Sequence, residues 1–277
     1  MSIPQSGGGP IESFDQLALL LEKGNKPKSD WRIGTEHEKF GYCKDTLAPL
    51  PYEGERSVLS ILQGLRDQFN WAPVEENGYL IGLTKDGANV SLEPGGALEL
   101  SGAPLETIHE TCDEVNVHLR EVKEIADKIG VGFIGLGAAP IWKHEDVSLM
   151  PKGRYQLMDA YMGKVGTMGR TMMRRTCTVQ VNLDFASEAD MVQKFRVALA
   201  LQPVATALHP PHPPLCGRAA RLGPHTPQQP HGLRGAPHPT CLSVRNTAQL
   251  AGRSPQASTT DRLGGTAVPQ AKRPRPH

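Results

Sequence analysis

The apolar positions of the first 208 residues follow two periods. Spacings of three and four residues predict helices. "SFDQLALLLEKG", residues 13–24, places Ser13 and Gln16 at capping-box spacing and stops at Gly24. "ERSVLSILQGLRDQF", residues 55–69, repeats Val58, Ile61, Leu62, Leu65 and Phe69. The longest pattern, 105–129, carries Ile108, Cys112, Val115, Leu119, Val122, Ala126 and Ile129, one apolar stripe to lay on a sheet. Shorter signals predict helices around "RYQLMDAYM" and over 187–207. Alternation every second residue predicts strands: "WRIGTEHEKFGY", then a meander of "YLIGLT", "NVSLE" and "ALELSG" with turns at "KDGA" and "PGG". "GVGFIGLG" and "RRTCTVQVNLDF" complete the set. Helices alternating with antiparallel meanders make this an α+β pattern and argue against a doubly wound parallel sheet.

Composition divides the chain near Leu208. Residues 1–208 carry 28 of the 29 acids and a net charge of −7, whereas residues 209–277 carry one acid, nine Lys/Arg and a net of +8. The second segment also holds 13 prolines and no Phe, Trp, Tyr, Ile or Met. It shows no period and too little apolar area to offset its ordering entropy, which predicts a disordered tail over 209–277 beside one folded unit, 1–208. Its bias is also what out-of-frame translation of GC-rich DNA would give.

No apolar run approaches the ~18–20 residues that span a bilayer, so a soluble protein with no membrane partner is expected. The N-terminus lacks the basic stretch of a secretory signal and the Arg of a transit peptide. Cys43, Cys112, Cys177, Cys216 and Cys241 are odd in number and lack metal-ligand spacing, which favours a reducing compartment. "KRPRPH" is too short to argue for nucleic acid.

The chemistry concentrates in three strands. In "GTEHEK", alternation puts Glu36 and Glu38 on one face and His37 and Lys39 on the other. Two carboxylates about 6.5–7 Å apart along a strand suit neighbouring hard cations better than a retaining glycosidase pair. A solvated strand edge is the plainer reading. "SLEPGGALEL" adds Glu93 at a strand end and Glu99 within the next strand. In "TCTVQVNLDF", Thr176, Thr178, Gln180, Asn182 and Asp184 share one face. Three such faces together suggest a polar concave sheet able to hold Mg²⁺ and a polyphosphate. Arg174 and Arg175, at the mouth of the third strand, would meet anionic groups. "GFIGLGAAP" fails the dinucleotide fingerprint because Pro140 occupies its third glycine position. There is no GxxxxGK[ST] phosphate loop, and "HETCD" lacks the second histidine of a zinc protease helix.

"WRIGTEHEKFGY", "SLEPGGALELSGAPLETIHETCDEVN", "MPKGRY", "YMGKVGTMGR" and "RRTCTVQVNLDFASEADMVQKFRVALALQP" closely resemble the plant-type glutamate–cysteine ligases, from about Phe14 to Leu208. The resemblance implies a glutamine-synthetase-like fold, an antiparallel sheet funnel with packed helices, incomplete here because family members run to roughly twice the length of the matching part. It implies ATP-dependent joining of glutamate to cysteine through γ-glutamyl phosphate, the first step of glutathione synthesis. Carried over, Glu36, Glu38 and Glu99 would be Mg²⁺ ligands, with Glu36 also catalytic. Glu93, Glu99 and Gln180 would serve ATP, metal or substrate amines. Arg174 or Arg175 would hold glutamate's α-carboxylate or a phosphate. The resemblance further implies a chloroplast location, with the cytoplasm as the alternative, and disulfide regulation in which Cys112 or Cys177 could take part. It leaves a homodimer open. Two other readings stand beside it: a non-catalytic fragment of such an enzyme, and a related carboxylate–amine ligase with another acceptor.

Overall fold

In the computed structural model, residues 10–166, 168–208 and 240–244 are described. The tail segments 209–239 and 245–277, on which disorder was expected, lie outside the described residues.

Among the described residues, six α-helices and eight strands follow in chain order. Helix α1 is Phe14–Glu22, strand β1 Ile33–Cys43 and helix α2 Val58–Phe69. The meander is β2 Ala72–Glu76, β3 Tyr79–Lys85, β4 Ala88–Leu92 and β5 Leu98–Ser101. Helix α3, Ile108–Lys128, leads into β6, Val131–Ile134. The remainder is α4 Gly153–Val165, α5 Gly169–Arg175, β7 Val179–Leu183, α6 Glu188–Leu208 and β8 Thr240–Val244. Among the described residues, no helix is long and apolar enough to cross a membrane.

The strands run in the order β2-β3-β4-β5-β1-β7-β8, with β6 pairing the far end of β1. All these pairings are antiparallel except β7 with β8. The exception joins Thr240–Val244, from the compositionally distinct segment, to the edge of the sheet. A parallel neighbour needs a long crossover, and the chain between Leu183 and Thr240 supplies the length.

Two of the turns are dictated by sequence. Asp86-Gly87, foreseen as "KDGA", and Asn77-Gly78 both have two successive positive φ values, the geometry that twists with a two-residue hairpin. Asn77-Gly78 makes β2 a strand, which the sequence reading missed because "APVEE" has no apolar alternation. The capping box expected for α1 does not form. Ser13 makes no side-chain cap, and Gln16 Oε1 instead accepts the Glu12 N–H at 2.9 Å.

Helices α2 and α3 cover one face of the meander. Ile61, Leu62 and Leu65 of α2 and Val122, Ile125 and Ala126 of α3 meet Leu83, Val90, Leu92, Leu98 and Leu100 in one core. The stripe expected along α3 holds only in its second half. Ile108 and Leu119 are exposed, and the inward positions of the first half are Thr111 and His118. A second, smaller cluster of Phe40, Ala97, Ala139, Trp142, Val147 and Cys177 lies at the other end of β1. Helix α6 leaves Phe195, Val197, Leu199, Leu201 and Val204 about half exposed.

Candidate active site

The site is a consequence of strand register. Glu38 on β1 pairs with Glu99 on β5, and Glu36 pairs with Ser101 on one side and Gln180 on the other. Ser91 and Asn89 of β4 stand opposite Glu99 and Ser101. Because side chains alternate, these residues share one sheet face. The opposite faces of the same strands carry Val90, Leu98 and Leu100, which belong to the core under α2 and α3.

Sheet neighbours hold each carboxylate in place. Asn182 Nδ2 donates to Glu36 Oε1 at 3.2 Å. Thr178 donates twice to Glu38, from its backbone N at 2.9 Å and from Oγ1 at 2.7 Å. Ser101 and Ser91 hydroxyls donate to the two oxygens of Glu99 at 2.8 and 3.1 Å. Glu36 and Glu99 are 3% and 2% exposed, so these acids are buried and the solvated-edge reading falls. Burial pushes the Glu38 carboxyl up to about 7, with Glu99 and Glu36 adding to the rise and the Thr178 hydrogen bonds opposing it.

Two buried lysines balance part of this charge. Lys39 donates to the Leu98 carbonyl at 3.4 Å and lies near Glu99 and Glu38. Lys152, fully buried, donates to the Leu92 carbonyl at 2.8 Å and has Glu93 and Glu99 within electrostatic reach. Burial lowers both ammonium groups to about 8. The sequence reading gives Lys152, within "MPKGRY", no role. The available signal was a lysine beside Pro151 and Gly153, at the start of a helix with no side-chain cap.

The structure brings Glu36, Glu38, Glu99 and Gln180 together and puts Glu93 at the end of β4, in the turn toward Glu99. It moves the two arginines. Arg174 and Arg175 end helix α5 and do not begin strand β7, which starts at Val179. Arg174 is bound to Asp159 at 2.6 Å and to the Val147 carbonyl at 3.3 Å. Arg175 is 6% exposed and donates to the Ala139 carbonyl at 3.3 Å. The alternation that seemed to run from Thr176 continues a strand only from Val179, because Thr176 bonds back to the α5 carbonyl of Met172. Helix α5 still touches the site: a Cβ at Gly95, in the turn between β4 and β5, would lie 2.0 Å from the Arg174 carbonyl oxygen. Only glycine allows that approach.

The donor set is all oxygen and anionic, which suits a hard divalent cation. Its oxygens are turned to sheet neighbours, and among the described residues no group of three or more His, Cys, Asp or Glu side chains is gathered as a metal site. Cys43, Cys112 and Cys177 are free thiols, Cys177 buried and Cys112 exposed.

Comparison with known proteins identifies the chain's family. The glutamate-cysteine ligase family 2 (GCS2) model matches residues 32–221, past the composition break at Leu208. Over 199 residues the chain is 54% identical to glutamate–cysteine ligase B, chloroplastic, of Oryza sativa subsp. japonica, covering 72% of this chain and 39% of that one. It is 55% identical over 199 residues to the chloroplastic glutamate–cysteine ligase of Arabidopsis thaliana, covering 72% and 37%. The chloroplastic enzyme of Brassica juncea is 54% identical, with 72% and 38% covered. The chain thus spans about two fifths of the length of these relatives. It belongs to glutamate–cysteine ligase family 2.

Proposed function

We propose that this chain supplies the acid face of an ATP-dependent ligase joining the γ-carboxylate of L-glutamate to the amine of L-cysteine, the first step of glutathione synthesis. The observation that carries the reading is the buried face on which Glu36, Glu38 and Glu99 stand together, in a chain about half identical to enzymes of that name. The sheet is then one wall of a glutamine-synthetase-like funnel.

In the reaction, a γ-carboxylate oxygen of glutamate attacks the γ-phosphorus of ATP, and ADP leaves. The neutral amine of cysteine next attacks the acyl carbon of γ-glutamyl phosphate. Phosphate departs and the amine loses a proton. Glu36, Glu38 and Glu99 would hold Mg²⁺ once substrates draw their oxygens inward, and the ion would supply charge neutralisation for phosphoryl transfer. Glu93 and Gln180 flank that tier, and their roles are to meet the nucleotide or the substrate amines. Arg174 Nε and Arg175 Nε, buried with no hydrogen-bond partner, are cationic donors for a phosphate or for glutamate's α-carboxylate. The relatives' names support a chloroplast setting.

One other reading stands beside it, a non-catalytic companion of a longer ligase. Incubating the purified chain with glutamate, cysteine and Mg·ATP separates the two. Formation of γ-glutamylcysteine with matching ADP supports catalysis. No turnover alone, with co-purification of a longer ligase, supports the companion role.

A further inference from the structure

Behind the acid face, on the side of the sheet covered by α3, lies a cavity of about 160 Å³. Trp71, Ala88, Leu100 and Val117 give it apolar walls, and Lys85, Asp86, Glu114, His118 and Glu121 line the rest. Glu114, His118 and Glu121 succeed one another at helical spacing, so one stripe of α3 carries all three. The apolar stripe read from the sequence fails along this stretch. Departures from local patterning of this kind concentrate at functional sites.

His118 is the key observation. It is 2% exposed, and neither Nδ1 nor Nε2 has a hydrogen-bond partner. An unsatisfied buried ring is costly, so its persistence calls for an explanation. Its ring stands edge-on to Trp71, with centroids 6.3 Å apart. Burial, with Lys39 and His37 nearby, holds the imidazole neutral, so one ring nitrogen is an acceptor. The other polar walls are mostly satisfied. Glu121 accepts Trp71 Nε1 at 2.8 Å and Lys85 Nζ at 3.1 Å, and Glu114 Oε1 accepts the Ala103 N–H at 2.7 Å. Glu114 Oε2 is buried with no hydrogen-bond partner. Three acids against one lysine leave the lining anionic.

We propose that this cavity binds a small aliphatic primary ammonium ion. Its N–H groups donate to the acceptor nitrogen of His118 while Glu114 and Asp86 supply the countercharge. Its alkyl body rests on Leu100, Ala88, Val117 and the Trp71 ring. A cavity of about 150 Å³ takes a molecule of benzene's size, so a ligand of roughly six non-hydrogen atoms fits. The site is separate from the acid face and independent of the ligase reading.

The test titrates the full chain with n-butylammonium chloride at constant ionic strength, following the Trp71 indole N–H by NMR. n-Butanol, with the same carbon body, and butyrate are the controls. A saturable shift with n-butylammonium, at least tenfold tighter than with n-butanol and absent with butyrate, is expected. Substitution His118→Leu should abolish it, and Glu114→Gln should weaken it about fivefold. Glu114→Gln reads the result if the first variant fails to fold. Equal binding of n-butanol, no saturable shift, or undiminished binding by both variants would overturn the proposal.

Discussion

Glu38 on β1 stands directly across from Glu99 on β5, two carboxylates paired between adjacent antiparallel strands. Like charges in that arrangement are destabilising in an ordinary sheet. Here hydroxyls of Thr178, Ser91 and Ser101 and the ammonium groups of Lys39 and Lys152 surround them.

Such a pair leaves a pH signature. A carboxyl whose folded value lies above its free value is penalised when ionised. For Glu38 the penalty is absent below pH 4.5, grows as pH rises and is complete above about 7. A rise of that size is worth about 3 kcal/mol. Glu38→Gln should therefore be more stable than the parent chain at pH 8, by up to that amount, with the gain gone at pH 4. Urea unfolding at the two pH values measures it, and a gain of equal size at both would contradict the charge-pair account.

Lys152 should show the opposite dependence. A lysine with a lowered folded value is penalised while charged, below about pH 8, and is relieved as pH climbs toward 10.5. The stability of the parent chain relative to Lys152→Met should accordingly rise over that window. At pH 7 the variant also loses the bond to the Leu92 carbonyl and leaves Glu93 and Glu99 with less compensating charge. Urea unfolding of both chains at about pH 7 and about pH 10 measures the change, and an unchanged difference would contradict it.

Gly95→Ala tests the contact between the meander and α5. A Cβ 2.0 Å from a backbone carbonyl oxygen must push two chain segments apart. We expect a loss of about 3 kcal/mol and a lower Tm. An alanine variant as stable as the parent would show that α5 does not press on this turn.

Sequence patterning made the meander legible because its turns carry Asp86-Gly87 and Pro94-Gly95-Gly96 and its strands alternate. The acids of β1 and β5 were legible for the same reason, since period two assigns a face without any knowledge of neighbours. Burial was not legible. "TEHEK" reads as polar, and only the register with β5 and β7 encloses Glu36. The arginines were misplaced because "RRTCTVQV" extends a true alternation backward through a helix end. On α3, His118 and Glu121 sat where periodicity called for solvent, since a helix stripe read from apolar residues cannot register a polar cavity.

In the proposed ligase, Glu36, Glu38 and Glu99 would hold the Mg²⁺ that accompanies ATP. Calorimetric titration of ATP into the purified chain, with and without Mg²⁺, beside Glu36→Gln, tests it most directly. The account predicts binding to the parent chain that requires Mg²⁺ and a loss of at least tenfold in the folded variant. Mg²⁺-dependent binding of equal affinity in both proteins would contradict it.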